Sequence, residues 1–180
     1  MISSPLQRLA LLFGLLIGVC AANAQTPEDK LKAAFVYNFV KFVTWPGGAF
    51  ASQAHITICV AGKGGGIEEA LAPLATRTAH GKTIVLRKAA GESTLQGCEV
   101  AYIAPSERAR MSVILQELAG QSVLTVSDAD NFAQAGGMIG LVSEGNKVVF
   151  EVNLGEIEKA GLKVNAQLLK VAKTVRKGKT

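Results

Sequence analysis

Apolar residues crowd the segment LKAAFVYNFVKFVTWP, from Leu31 to Pro46, where only Lys32 and Lys41 are charged. Glu28 and Asp29 precede the run and Trp45-Pro46 closes it. The pattern predicts a helix from about Glu28 to Thr44, because acids suit a first turn and the residue before proline avoids helical geometry. Its apolar positions run nearly all the way round, so it must be covered on more than one face.

Further along, short apolar runs alternate with helical stretches. HITICVAG (His55 to Gly62) reads as a strand, followed by a helix from about Gly66 to Ala75. TIVLR around Val85, EVAYIAP from Glu99 and SVLTVSD from Ser122 read as three more strands. A helix is expected near Ser106 and a short helical piece around Phe132. Strands apolar on both sides and separated by helices imply a mainly parallel sheet. GMIGLV and KVVFEVN are separated only by SEGN, which is too short for a crossover and predicts a hairpin. The last stretch, Leu154 to Val175, reads as helical with a break near Gly161. The expected fold class is α/β, a three-layer sandwich whose mixed, mainly parallel sheet ends in an antiparallel hairpin with helices on both faces.

The start of the chain has a different character. Arg8 is followed by an uncharged run from Leu9 to Val19 and then Ala22-Asn23-Ala24, a small-x-small cleavage pattern. The run is shorter than the ~20 residues of a bilayer span. Residues 1–24 are therefore expected to be a cleaved signal peptide, residues 25–180 a single domain, and the location periplasmic. Cys20 near the end of the run offers a lipoprotein reading, but Val19 stands where lipidation requires a small residue.

Removing the leader takes one charge, Arg8, from a chain of net charge +5. It also leaves Cys59 and Cys98 as the remaining cysteines. An even pair in an exported chain reads as a disulfide. Basic residues gather at Lys163, Lys170, Lys173, Arg176, Lys177 and Lys179 and read as a solvated end. Nucleic acid is not an expected partner.

Candidate chemistry is sparse. Gly62-Lys63-Gly64-Gly65-Gly66 between a strand and a helix reads as a tight turn or a weak ligand loop at Gly62, Gly64 and Gly65; its spacing does not fit a nucleotide loop. His55 and His80 have no partner at metal-ligand spacing, so no metal and no cofactor are expected. Ser127, Asp128 and Asp130 read as a helix cap, and Asp128 with Glu144 or Glu151 makes no carboxylate pair of defined separation. In KVVFEVN, alternation puts Val149, Glu151 and Asn153 on one side and Val148, Phe150 and Val152 on the other. Glu151, with Ile157 in reach, would offer an acidic group beside apolar contacts, suited to protein recognition.

Taken together, KAAFVYNFVKFVTWP behind a signal peptide, ICVAGKG with Cys59, GCEVAYIAPSE with Cys98, LTVSDADNFAQAGGMIGLV and VVFEVNLGEIEKAGLKVNAQLLKVA resemble the YfiR family of periplasmic proteins, over the whole mature chain and in order. The resemblance implies a non-enzymatic repressor that binds the periplasmic part of a membrane-embedded YfiN-like diguanylate cyclase. It also implies a YfiB-like outer-membrane lipoprotein that relieves repression, an effect on cyclic di-GMP and biofilm formation, and a homodimer. It matches Cys59 and Cys98 to a family disulfide and Glu151 and Ile157 to cyclase contact. A second, C-terminal disulfide that the resemblance would bring has no cysteines here, so packing and turn chemistry must hold the hairpin from Met138 to Lys147. The alternative reading is a periplasmic small-molecule sensor with a ligand crevice near Gly62 to Gly66.

Overall fold

The structure, a computed structural model, describes residues 26–47, 53–89 and 95–178. The expected leader and Cys20 lie outside these residues. Helix α1 spans Pro27–Phe42. Thr26 caps it: the Thr26 side chain accepts from the Asp29 backbone and the Asp29 carboxylate accepts from the Thr26 backbone, with Pro27 in the first turn. The helix ends before Thr44 because β-branched Val43 turns extended, and Val43–Thr44 becomes strand β1.

The remaining elements in order are β2 His55–Ala61, α2 Gly66–Leu71, a 3₁₀ stretch Ala72–Thr76, β3 Thr78–Ala79, β4 Lys82–Ala89 and β5 Val100–Ile103. After them come a 3₁₀ stretch Pro105–Arg110, α3 Met111–Glu117, β6 Leu124–Ser127, β7 Ile139–Glu144 and β8 Lys147–Asn153. The chain finishes with α4 Leu154–Lys159, β9 Lys163–Val164, α5 Ala166–Val171 and β10 Thr174–Arg176.

Eight strands form one sheet in the order β10-β8-β7-β6-β5-β2-β4-β3. The five central strands β4, β2, β5, β6 and β7 are parallel, and β8 returns antiparallel to β7. The mixed, mainly parallel sheet is thus the one the sequence predicts. Gly145, at φ +59°, takes the first central position of the two-residue turn between Glu144 and Lys147, where an L side chain would be strained.

The C-terminal stretch departs from the expectation of a broken helix. Only two six-residue helices form, and between them β9 pairs with β1 through Val43 opposite Val164. β10 then adds to β8 in parallel, so the hairpin is not the end of the sheet. Gly161, at φ +72°, stops α4, and β-branched Thr174 and Val175 favour the edge strand. The segment around Phe132 is a series of turns and not a helix. Asn131 at φ +59° and Gly136 at φ +103° both leave helical geometry.

One face of the sheet packs Ile56, Ile58, Val100, Leu124 and Val152 against Val36, Phe39 and Val40 of α1 and Ile67 and Leu71 of α2. Phe39 meets Phe150 edge-on at 5.1 Å, and Phe35 lies 5.5 Å from the same ring. Leu162 and Leu168 join this cluster, so the rest of the domain supplies the second cover that α1 requires. The opposite face packs Cys59, Ala101 and Ile103 against Met111 and Ile114 of α3 and against Phe132.

Glu99 lies buried just before β5, where its carboxylate accepts from Thr57 N at 2.6 Å. Burial pushes its carboxyl above the usual range, against the opposing pull of Thr57, Gln53 and Arg87. A raised native value means that this group favours the fold most below the unfolded range of about 4.3, and favours it less as pH rises through the native value. Glu99→Gln keeps an acceptor for Thr57 without the charge. Its stability relative to wild type is expected to grow between about pH 4 and pH 7, read as the shift in urea midpoint; a constant difference would contradict the assignment.

Candidate functional site

Open parallel sheets bind ligands beyond the carboxyl ends of their strands, where neighbouring connections leave on opposite faces. That point lies here between β2, which leads to α2, and β5, which leads to α3. The chain's own side chains narrow it. Lys63 N donates to Ser106 Oγ at 2.9 Å, and a side chain at Gly62 would meet Ser106 Oγ at 2.6 Å and Glu107 Cγ at 2.7 Å. Gly62 also sits at φ +82°. Gly64 faces Val60 and Glu68 closely, and Asp29 of α1 presses against Gly66. Of the three glycines expected at a ligand loop, Gly65 lines an open groove beside α2, Gly62 lines a small cavity with Glu107 and Arg110, and Gly64 lines neither.

Next to this point lies a polar cluster that sequence reasoning missed. Lys32 Nζ donates to Asp128 Oδ2 at 2.7 Å and pairs with Glu28 Oε1 at 2.8 Å, with only 10% of its side chain exposed. Tyr102, fully buried on β5, donates its hydroxyl to the other Asp128 oxygen. Ser143 at the end of β7 donates to Glu28 at 2.6 Å. Burial is the largest influence on the Lys32 ammonium and pulls its pKa down, yet Asp128 and Glu28 together hold it above the usual value. Burial, then Asp128, push the Tyr102 phenol far up, so it remains a donor. The hydrogen bonds from Lys32 and Ser143 hold the Glu28 carboxyl below its usual range. The first turns of α1 are thereby fastened across the ends of β5, β6 and β7.

Asp128 is thus no helix cap; Ser127 Oγ accepts from Ala129 N in a local turn, and Asp128 faces the core. The available signal was Lys32 itself, one of two charges in an otherwise apolar helix. Buried Lys32 has found an acid, while Lys41 is exposed. The other acids are held apart: Asp130 pairs with Arg108 at 2.8 Å and Glu144 with Lys173 at 2.5 Å. His55 opens β2, and His80 Nε2 lies 2.8 Å from Val40 O with its ring edge-on to Trp45. Among the described residues, no three His, Cys, Asp or Glu side chains gather as metal ligands would.

Cys59 and Cys98 are joined by a disulfide with Cα atoms 5.9 Å apart. Arg87 of β4 lies over it, donating from Nε to Cys59 Sγ at 3.3 Å and from Nη2 to Cys98 Sγ at 2.9 Å and Gln96 O at 2.7 Å.

Alternation along β8 is as predicted: Val148, Phe150 and Val152 are buried, and Val149, Glu151 and Asn153 are half-buried. Glu151 lies opposite Gly140 on one side and Thr174 of β10 on the other, flanked by a residue without a side chain. Ile157 is fully buried in the α1-side core, the face to which Phe150 and Val152 point. Glu151 points the other way, so the structure does not join Glu151 and Ile157 in one exposed patch. Ile157 reaches a partner only through α4, which it anchors.

Among the described residues no helix is long and apolar enough to cross a membrane. A conserved domain protein from Vibrio cholerae O1 biovar El Tor, solved by crystallography, is similar at a TM-score of 0.57 and 12% identity, a likeness that establishes fold alone. The match covers 82% of this chain, which spans 60% of that one. The family model described as YfiR/HmsC-like matches residues 29–173.

Proposed function

The chain belongs to the YfiR/HmsC-like family, and from that premise we propose that it is a non-enzymatic periplasmic regulator. It binds the periplasmic part of a membrane signalling protein, a YfiN-like diguanylate cyclase, and represses it, lowering cyclic di-GMP and biofilm formation. The observation that carries this reading is the extent of the family match, from the first turn of α1 to the residue before β10. Residues 1–24 act as a cleaved export signal, residues 25–180 form the working domain, and the domain acts as a homodimer. A YfiB-like outer-membrane lipoprotein relieves repression by sequestering it.

Glu151 supplies the contact. It is half-buried on a strand between Gly140 and Thr174, close enough to Lys173 for the two charges to interact, and its carboxylate meets a basic group of the partner. Ile157 supports that surface from within by seating α4, the helix that follows β8 directly.

Deleting the gene is expected to raise cyclic di-GMP. Glu151→Lys is expected to raise it to the deletion level while leaving the circular dichroism spectrum and melting temperature of the purified protein unchanged. Unchanged cyclic di-GMP in both strains would refute the regulator reading. A rise in the deletion strain alone would remove Glu151 from the contact. Isolation of the protein from membranes with its partner, identified by mass spectrometry, tests the cyclase assignment directly.

A further inference from the structure

The outer edge of β4 is left open by the described residues beyond β3. Among the described residues it is paired on that side only by β3, with Ala79 opposite Lys82 and Thr78 opposite Thr83. Ile84 N donates to Arg77 O at 2.9 Å, which fixes the even-numbered residues of β4 as those whose backbone groups face outward. The opposite side of β4 is paired with β2 as far as Ala89. Beyond the end of β3, the N–H and C=O groups of Leu86 and Lys88 therefore point away from the sheet with no strand of the described residues beside them.

Alongside this edge runs a groove of about 610 Å³ between β4 and α2. Val60, Ala72 and half-buried Leu86 give it an apolar lining, and basic Lys63, Arg87 and Lys88 outnumber acidic Glu68 and Glu69 by one charge. Lys88 and Glu68 pair at 3.1 Å, largely in solvent, an interaction of little energetic weight. Val85 is 36% exposed on the other side of the strand. An edge guarded only against aggregation would present charge alone. This one presents charge, exposed Val85, half-buried Leu86 and a groove next to backbone that no described strand pairs, which is the geometry in which an extended peptide adds a strand between a sheet edge and a helix.

We propose that the edge of β4 from Leu86 to Lys88, with the groove beneath α2, is a docking site for an extended acidic peptide segment of a partner protein. The segment adds as a strand, donating to and accepting from Leu86 and Lys88, with an apolar side chain over Val60 and Leu86 and acidic side chains near Lys63, Arg87 and Lys88. Charge selects this occupant over a second copy of the chain. A two-fold pairing of β4 with itself in a register clear of β3 sets Arg87 opposite Arg87 or Lys88 opposite Lys88, and like charges directly opposed are destabilising. The proposal is independent of which signalling protein the family surface at Glu151 engages.

A fluorescent heptapeptide of alternating valine and glutamate, and its counterpart with lysine for glutamate, test it by anisotropy against the folded protein. Saturable binding of the glutamate peptide is expected, about tenfold or more tighter than the lysine peptide, with hydrogen exchange slowed at the Leu86 and Lys88 amides. Lys88→Pro removes an outward N–H without breaking the β2 ladder and is expected to weaken binding about tenfold or more. Should that variant melt early, Lys88→Glu, at an exposed position, is expected to weaken binding to a similar extent. No saturable binding, protection confined to other amides, equal binding of the two peptides, or unchanged affinity in a folded variant would each overturn the proposal. A dimer that Lys88→Pro dissociates, in a protein that ignores the peptide, would assign the edge to a second copy instead.

Discussion

Lys32→Met is expected to destabilise the protein by about 3–5 kcal/mol, the cost of leaving one buried charge without its partner. The Asp128 carboxylate is 16% exposed and would retain the Tyr102 hydroxyl but lose its counter-charge. Glu28, at 45% exposure, loses far less. Methionine matches the stem of lysine, so the change is in charge and hydrogen bonding and not in volume. Asp128→Asn in the same chain removes the stranded charge, and the double variant is therefore expected to be more stable than the sum of the two single changes predicts. Urea unfolding of the four proteins gives the coupling. Strictly additive effects would mean that Lys32 and Asp128 do not act as a pair.

The second large effect concerns the bridge from Cys59 to Cys98, which are 39 residues apart in sequence. On the chain-entropy model, closing a loop of that length favours the fold by about 4 kcal/mol, through restriction of the unfolded chain. Both cysteines are buried, and the bridge fastens β2 to the segment that enters β5, two strands already paired in parallel. Cys59→Ala with Cys98→Ala is expected to lower stability by about 2–4 kcal/mol, with Arg87 keeping Gln96 O as its remaining acceptor. A urea midpoint equal to that of the oxidised wild type would show that strand pairing alone sets this region. Two free thiols in the exported protein, detected by mass spectrometry, would contradict the bridge itself.

The hairpin expected to manage without a second disulfide is held by backbone and packing. Six cross-strand pairs run from Ile139 with Val152 to Glu144 with Lys147, and Val148, Phe150 and Val152 reach the core. That hairpin was legible because its signals are local: alternation of period two on each side of a turn with glycine at the right place. The acidic first turn of α1 and the parallel central strands were legible for the same reason. The C-terminal stretch was not, since its helices are short and β9 gains its partner from residues more than a hundred positions away, Val43 for Val164 and Thr44 for Lys163.

By itself, the sequence determined the α/β class, the hairpin, the crowding of α1 into the core and the family, because periodicity, turn chemistry and motif order are written within a few residues of each other. Only the tertiary structure decided which charges would be enclosed and which edges left open. Lys32 meets Asp128 across 96 positions, Ile157 turns inward while Glu151 turns outward, and among the described residues β4 is covered on its outer side only as far as two-residue β3 reaches. Burial and pairing belong to the assembled sheet, and no stretch of the chain read alone contains the partner that satisfies or abandons it.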